Sequence, residues 1–213
     1  MGRTFDIVRD YYVEKYYIFK KKTCVFEPGV TVLVGCNGSG KSSLLEQIKG
    51  SLRRQNIPYV FHDADKDDVR VKRQEAIIFG NDSDFLAASM CSSEGENIFN
   101  VFRYVVKEMG VVTRQNPDTK ELWFLFDALD SGLSIDAIAE LKTDLFQFVI
   151  DQNPDKDVYI IVSANGYEFA NSERCYDVAN CKEVTFKDYN DYRKFILKSR
   201  QQKIKRNEKW FGE

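Results

Sequence analysis

The eight residues 35–42, GCNGSGKS, constrain this chain more than any other stretch. They match the pattern G-x-x-x-x-G-K-[ST], in which glycines let successive backbone N–H groups turn toward one anion. An apolar run, GVTVLVG, leads into them, and SSLLEQIKGSLRRQ follows with apolar residues at helical spacing. A buried strand, a glycine-rich loop and a helix N-terminus together favour phosphate binding. We therefore predict a nucleotide site at this loop.

The loop predicts both the ligand and its contacts. Lys41 would place a positive charge between the β- and γ-phosphates, and the Ser42 hydroxyl would bind Mg²⁺. The expected cofactors are therefore ATP and Mg²⁺. The predicted nucleotide-binding residues of this stretch are Gly35, Asn37, Gly38, Ser39, Gly40, Lys41, Ser42 and Ser43.

A second apolar run, LWFLFD, ends in Asp127. A carboxylate at the carboxyl end of a parallel strand beside the phosphate loop can hold Mg²⁺ through water. Asp127 is therefore predicted to bind the metal together with Ser42, and to be a catalytic residue together with Lys41.

The order of elements predicts an α/β P-loop fold in one domain, residues 1–213. Apolar strand-like runs alternate with helix-like stretches, which favours a mainly parallel sheet with helices on both faces. Residues 4–35 suggest an antiparallel β portion, residues 66–110 a small helical lobe, and residues 188–211 a basic helix. The lobe's last helix is expected to end at Gly110, and Ser134 to cap the next helix.

Composition narrows the function classes. No apolar run is long enough to span a bilayer, so no membrane partner is expected and the chain is predicted to be cytoplasmic. Five scattered cysteines and one histidine offer too few ligands for a zinc site. The net charge of −2 means that any nucleic-acid contact needs a local patch. Six cations near the end form either a solvated face or a surface for nucleic acid or protein: Lys198, Arg200, Lys203, Lys205, Arg206 and Lys209.

The motifs together resemble the ABC-type P-loop ATPase superfamily. GCNGSGKSSLL is similar to its Walker A motif, the strand ending in Asp127 to Walker B, and residues 130–134 (DSGLS) to its D-loop. The likeness covers most of residues 1–170 and is strongest to the soluble RecF- and SMC-like branch, which includes small phage-type ATPases. It implies an ABC-ATPase head-like fold and a role in DNA transactions or phage biology.

The resemblance also implies a signature motif and a partner. Residues 92–96 (SSEGE) are similar to the family's S-x-G-[QE] form, so Ser93, Gly95 and Glu96 would bind the ATP of a second subunit. The implied assembly is a homodimer with ATP sandwiched between the subunits. Ser93 and Glu96 also fit an ordinary capping box, and that interpretation stays open.

Three further assignments follow from the same resemblance. Gln74 stands where the family has a glutamine that senses Mg²⁺, and Tyr16 or Tyr17 where relatives stack an aromatic ring on adenine. The two tyrosines fit strand packing equally well. Asn165 replaces the family's switch histidine and is the third predicted catalytic residue.

One residue departs from the family pattern at a position that affects ATP hydrolysis. The family's catalytic glutamate is replaced by Ala128, which cannot accept a proton. Losing a general base costs about 10²–10⁴ in rate, so we expect slow hydrolysis or a stable ATP-bound state. Asp130 is the alternative base, although its family position is in the D-loop. The favoured function is an ATP-gated dimerisation switch. The alternatives are a non-hydrolysing ATP-binding regulatory module, a transporter's ATP-binding subunit and a nucleotide kinase.

Overall fold

The computed structural model describes residues 2–8, 17–64 and 94–211, with only the backbone described for residues 94–104, 210 and 211. The strands are β1 (Arg3–Asp6), β2 (Thr23–Phe26), β3 (Gly29–Val34), β4 (Tyr59–Asp63), β5 (Glu121–Asp127), β6 (Asp157–Ser163), β7 (Arg174–Asp177) and β8 (Lys182–Val184). The helices are α1 (Lys41–Arg54), α2 (Glu94–Gln115), α3 (Ile135–Glu140), α4 (Phe148–Asp151), α5 (Tyr167–Ala170) and α6 (Tyr189–Phe211), and a π-helical segment, Leu141–Gln147, joins α3 to α4.

The central sheet has six strands in the order β4-β5-β6-β3-β7-β8. All neighbours pair in parallel except β8, which runs antiparallel to β7. A separate antiparallel ribbon, β1-β2, comes from the N-terminal part of the chain. The α/β fold with a mainly parallel sheet and an N-terminal antiparallel portion is therefore confirmed.

The strand that ends in Asp127 is not the direct neighbour of the strand that leads into the phosphate loop. β6 lies between β5 and β3 and pairs with both. The sequence does not reveal this arrangement, because the order of strands along a chain does not fix their order in a sheet. The carboxyl ends of β3, β6 and β5 nevertheless share one edge of the sheet.

Alternate residues of the strands enter two cores on opposite faces, as the pleat of a strand requires. On β5, Phe124 and Phe126 enter one core, and Trp123 and Leu125 enter the other. Helix α1 packs on this second core through Leu44, Leu45, Ile48 and Leu52, all fully buried. Burial of such side chains stabilises the fold by about 1.5–3 kcal/mol each. The packing fixes the start of α1 above the carboxyl edge of the sheet.

Helix α2 runs past Gly110 to Gln115, so the predicted end is wrong. Val112 packs against the first core, and Thr113 and Asn116 bond back to the carbonyls of Met109 and Val112, at 2.9 and 2.8 Å. These contacts offset the cost of about 1 kcal/mol for a glycine inside a helix.

Two other predictions concern the helix start at Ser134 and the helices within residues 66–90. Ser134 stands at the helix start as predicted, but its side chain makes no cap hydrogen bond there. The helices expected within residues 66–90 lie outside the described residues. In the part of the chain that the structure describes, no helix is both long and apolar enough to cross a membrane.

Candidate functional site

The phosphate loop joins β3 to α1, as the motif predicts. Gly35, Gly38 and Gly40 have φ angles of +152°, +71° and +103°, which side-chain-bearing residues rarely adopt. A Cβ at Gly40 would also lie 2.6 Å from Ile18 Cγ2. Because α1 begins at Lys41, the helix directs its free N–H groups and positive end toward the loop. Here the sequence pattern and the backbone agree.

The Lys41 side chain lies against this loop. Its Nζ donates to the Gly35 carbonyl at 3.0 Å and to Asn165 Oδ1 at 2.9 Å, and the residue is 8% exposed. Burial lowers the pKa of this ammonium, while the charges of Asp130 and Asp127 act in the opposite direction. An anionic ligand at this position would favour the charged form. The structure thus brings together two of the three predicted catalytic residues.

Asp127, the third predicted catalytic residue, ends β5 and is 6% exposed. Its Oδ1 accepts the Ala128 N–H at 3.1 Å. Asp127 continues the alternation of Trp123 and Leu125, so it lies on the face of the sheet that α1 covers. The predicted carboxylate is therefore buried at the carboxyl edge of the sheet, on the face where α1 begins.

The residues present fit Mg-ATP. Ser39 is 3% exposed, and within the described chain its Oγ has no hydrogen-bond partner, which leaves a polar atom for a ligand or water inside the loop. A Cβ at Gly35 would lie 2.5 Å from this Oγ. The Ser42 hydroxyl and the Asp127 carboxylate are the hard oxygen donors that Mg²⁺ prefers. When bound, Mg²⁺ neutralises phosphate charge.

Ala128 has a φ angle of +52°, in the left-handed region, and Asp130 follows in the same turn. Asp130 Oδ2 accepts the N–H groups of Asn165 and Gly166 at 2.7 and 2.6 Å. The D-loop-like segment is thereby fixed to the turn after β6. This carboxylate positions Asn165, which supports the expectation that Asp130 is not the general base.

Helix α6 contacts the site, which the sequence alone did not predict. Tyr192 donates to the Asn165 carbonyl at 2.7 Å, and Ser199 Oγ accepts the Cys36 N–H at 3.2 Å. Lys203 Nζ donates to the Asn37 carbonyl at 2.9 Å. The available signal was the spacing of these three residues, which places them on one face of a helix.

A cavity of about 390 Å³ lies between α6, the phosphate loop and residues 17–20. Tyr17, which is 46% exposed, lines it together with the loop residues Cys36 and Ser39. Its cationic lining residues are Lys20, Lys203, Lys205, Arg206 and Lys209, and no carboxylate is among the described residues that line it. The cavity therefore suits an anionic or nucleotide-like ligand.

Several predicted residues are placed only in part. Gln74, Ser93 and Tyr16 lie outside the described residues. Gly95 and Glu96 lie in the first turn of α2, where only the backbone is described. The predicted Mg²⁺-sensing and signature roles thus stay predictions. Asp63, which ends β4 as the register partner of Asp127, was not singled out by the sequence, although YVFHD ends in an aspartate just as LWFLFD does.

Comparison with known proteins finds a family match and two more limited similarities. The model of an AAA domain family, AAA_23, matches residues 12–210. A DNA double-strand break repair Rad50 ATPase from Methanosarcina mazei is 54% identical over 39 residues, which is 18% of this chain and 4% of that protein. A KaiC-like protein from Pyrococcus horikoshii is similar in structure with a TM-score of 0.38 and 19% identity, over 66% of this chain and 64% of that one.

Proposed function

The chain belongs to the AAA_23 family of AAA domains, and from this premise we propose that it is a Mg-ATP-gated dimerisation switch with slow ATP hydrolysis. It is a P-loop ATPase of the SMC- and RecF-like type. The finer statements, which concern the magnesium ion, the dimer and the rate, are the proposal. They rest on the site and on the motifs.

The observation that supports the proposal most is the position of Lys41. A buried ammonium lies between Gly35 and Asn165, over a loop of left-handed glycines at the start of α1. Such a group is costly to bury unless anions compensate it, and Asp127 and Asp130 supply part of that compensation. A triphosphate would supply more, and Asn165 would then lie beside the γ-phosphate.

The cavity beside the loop suits the rest of the nucleotide. Its volume falls in the range of small-molecule sites, about 300–1,000 Å³. Tyr17 offers an aromatic face and Lys20 a positive charge on the same wall. We assign the adenosine to this cavity, with Tyr17 as the stacking residue.

The assembly follows from the family motifs. Ser93, Gly95 and Glu96 of one subunit would close on the ATP held by the other, which makes a two-fold dimer with two nucleotides. The similarity to a Rad50 ATPase supports work on DNA, with the basic helix α6 as the surface for nucleic acid or a protein partner. The cytoplasmic, phage-type setting is part of this proposal and rests on the sequence alone.

A second candidate is a non-hydrolysing ATP-binding module, and Ala128 is the observation that favours it. A methyl group at this position cannot polarise water. Both candidates bind Mg-ATP through Lys41 and differ only in phosphate release.

Equilibrium binding of Mg-ATP and release of phosphate by the wild-type chain and by Lys41→Ala test the proposal. We expect the wild type to bind Mg-ATP and to release phosphate slowly but above the variant. Absence of Mg-ATP binding by the wild type would contradict the proposal. Binding without phosphate release would select the non-hydrolysing module.

A further inference from the structure

An asparagine, Asn180, lines the cavity beside the phosphate loop. It lies in the turn between β7 and β8 and is partly buried. β7 pairs with β3, the strand that leads into the loop, and Asp177 is the register partner of Val34. The Val178 N–H donates to the Val34 carbonyl at 3.3 Å, which continues this pairing beyond the strand. The turn that carries Asn180 therefore begins beside the start of the phosphate loop.

The same turn is hydrogen-bonded to the segment that carries Tyr17. The Lys20 N–H donates to the carbonyl of Ala179, the residue before Asn180, at 3.0 Å. Tyr17 and Asn180 both line the cavity, together with two residues of the phosphate loop. An aromatic ring and a side-chain amide thus border one space next to the loop. A nucleotide base can use both groups, the ring for stacking and the amide for hydrogen bonds.

The side-chain amide of Asn180 has a fixed orientation. Its Nδ2 donates to Asp177 Oδ2 at 2.5 Å, and its backbone N–H donates to Asp177 Oδ1 at 3.2 Å. A carboxylate only accepts hydrogen bonds, so the NH₂ group of the amide faces Asp177. The reversed amide would place Oδ1 against a carboxylate oxygen. Asp177 is 3% exposed, so little water screens that repulsion.

An amide that is held in one orientation distinguishes adenine from guanine. Adenine presents a 6-amino donor next to a ring-nitrogen acceptor, and an asparagine amide can bind both atoms at once. On the corresponding N7 edge, guanine presents two acceptors, neither of which can pair with an amide oxygen. On its Watson–Crick edge, guanine presents an acceptor, O6, next to an N–H donor, so it requires the reversed amide. The contact between Asn180 and Asp177 opposes that reversal.

We propose that Asn180 recognises the base of the nucleotide and, held by Asp177, selects ATP over GTP. Asn180 Oδ1 accepts a hydrogen bond from the 6-amino group of adenine while Tyr17 stacks on the ring. Asn180 is the residue that contacts the base, and Asp177 is a positioning residue that acts through it. This inference rests on the proposed function, because it requires the adenosine in this cavity.

The test compares three nucleotides by equilibrium titration in the presence of Mg²⁺. They are ATP, GTP and purine riboside triphosphate, which is ATP without its 6-amino group. We expect the wild type to bind ATP about 10–100-fold more tightly than each of the other two, as a bidentate contact to a base provides. Asn180→Ala should bind all three nucleotides within about two-fold of one another, because the amide contact is then absent from every complex.

Asp177→Asn tests the orientation of the amide separately from its presence. An amide at position 177 can face its neighbour with its oxygen or with its NH₂ group, so the Asn180 amide can reverse. GTP should therefore gain about ten-fold in affinity relative to ATP. Gln202→Ala is the matched control, since it removes an exposed amide that lines the same cavity from α6. This variant should keep the wild-type preference, and thermal unfolding checks that each variant is folded.

The outcomes separate this inference from the proposed function. A wild-type chain that binds the three nucleotides equally would overturn the role of Asn180, while the ATP-binding switch would stand. This comparison needs no variant, so it decides even where a substitution prevents folding. An ATP preference that persists in Asn180→Ala would also overturn the role, and one that persists in Asp177→Asn would overturn the positioning by Asp177. A wild-type chain that binds no Mg-ATP would overturn both the inference and the proposed function.

Discussion

The two halves of the nucleotide site differ in how closely they follow their family pattern. The half built from β3 and α1 carries a complete phosphate loop, and its glycines, Lys41 and Ser42 stand where the motif predicts. The half built from β4, β5 and β6 departs at the positions where the family acts on water, with Ala128 and Asn165. If the proposed function holds, nucleotide binding and hydrolysis should therefore be separable by mutation, because different strands supply their residues.

The largest expected effect comes from the binding half. Lys41→Ala removes a charge that would bond to two phosphates, so we expect Mg-ATP affinity to fall by about 10²–10³-fold. The folded chain itself should lose little stability, because burial disfavours the charged form of Lys41. Titration with a fluorescent ATP analogue and thermal unfolding without nucleotide measure the two effects. Equal ATP affinity in variant and wild type would show that this half does not bind the phosphates.

The second effect concerns a contact within the half built from β4, β5 and β6, which holds Asn165, the hydrogen-bond partner of Lys41. Asp130→Ala removes the acceptor for the N–H groups of Asn165 and Gly166, so we expect the free energy of unfolding to fall by about 2 kcal/mol. This corresponds to a fall in Tm of about 4–8 °C for a chain of this size. Thermal unfolding measures it, with Asp130→Asn as the control because it keeps an acceptor oxygen. A variant as stable as the wild type would mean that this turn holds its shape without Asp130.

A third prediction concerns the half that departs from the family. Ala128→Glu introduces a proton acceptor next to Asp127, so phosphate release should rise by about ten-fold or more. A well-positioned general base contributes about 10²–10⁴ in rate, and an introduced one is expected to recover only part of this. Steady-state phosphate release measures the effect.

Ala128→Gln is its matched control, since it adds the same bulk without a base. A rise with both variants would attribute the gain to packing. The absence of any rise with Ala128→Glu would show that water is not activated at this position.

The smallest expected effect concerns α6. Lys203→Met removes the hydrogen bond to the Asn37 carbonyl, which we expect to help keep the loop N–H groups available for phosphate. One such bond is worth about 0.5–1.5 kcal/mol, so the Kd of Mg-ATP should rise by about 2–10-fold. Titration measures it against Lys198→Met, a neighbouring exposed lysine that does not line the cavity. An equal change in both variants would point to general charge rather than to this contact.

The sequence predicted the phosphate loop well because its chemistry is local. Gly35 to Ser42 are consecutive, and their backbone demands can be read from residue types alone. Residues that meet through the sheet order were harder to predict. Asp63 adjoins Asp127 only because β4 pairs with β5, and β6 separates β5 from β3.

The contacts of α6 were missed for a related reason. Ser199 and Lys203 looked like parts of a polar basic helix, whereas their partners, Cys36 and Asn37, lie far earlier in the chain. A helical pattern shows which residues share a face, but not what that face meets. The extension of α2 past Gly110 was missed because packing of Val112 outweighs the glycine.

The solution mass of the chain with Mg-ATP, with Mg-ADP and without nucleotide tests the switch most directly. The chain alone has a mass of 24.7 kDa, and we expect about twice that mass only with Mg-ATP. Lys41→Ala should stay monomeric under all three conditions. A wild-type mass that does not respond to Mg-ATP would contradict the account, because no second subunit would then close on the nucleotide.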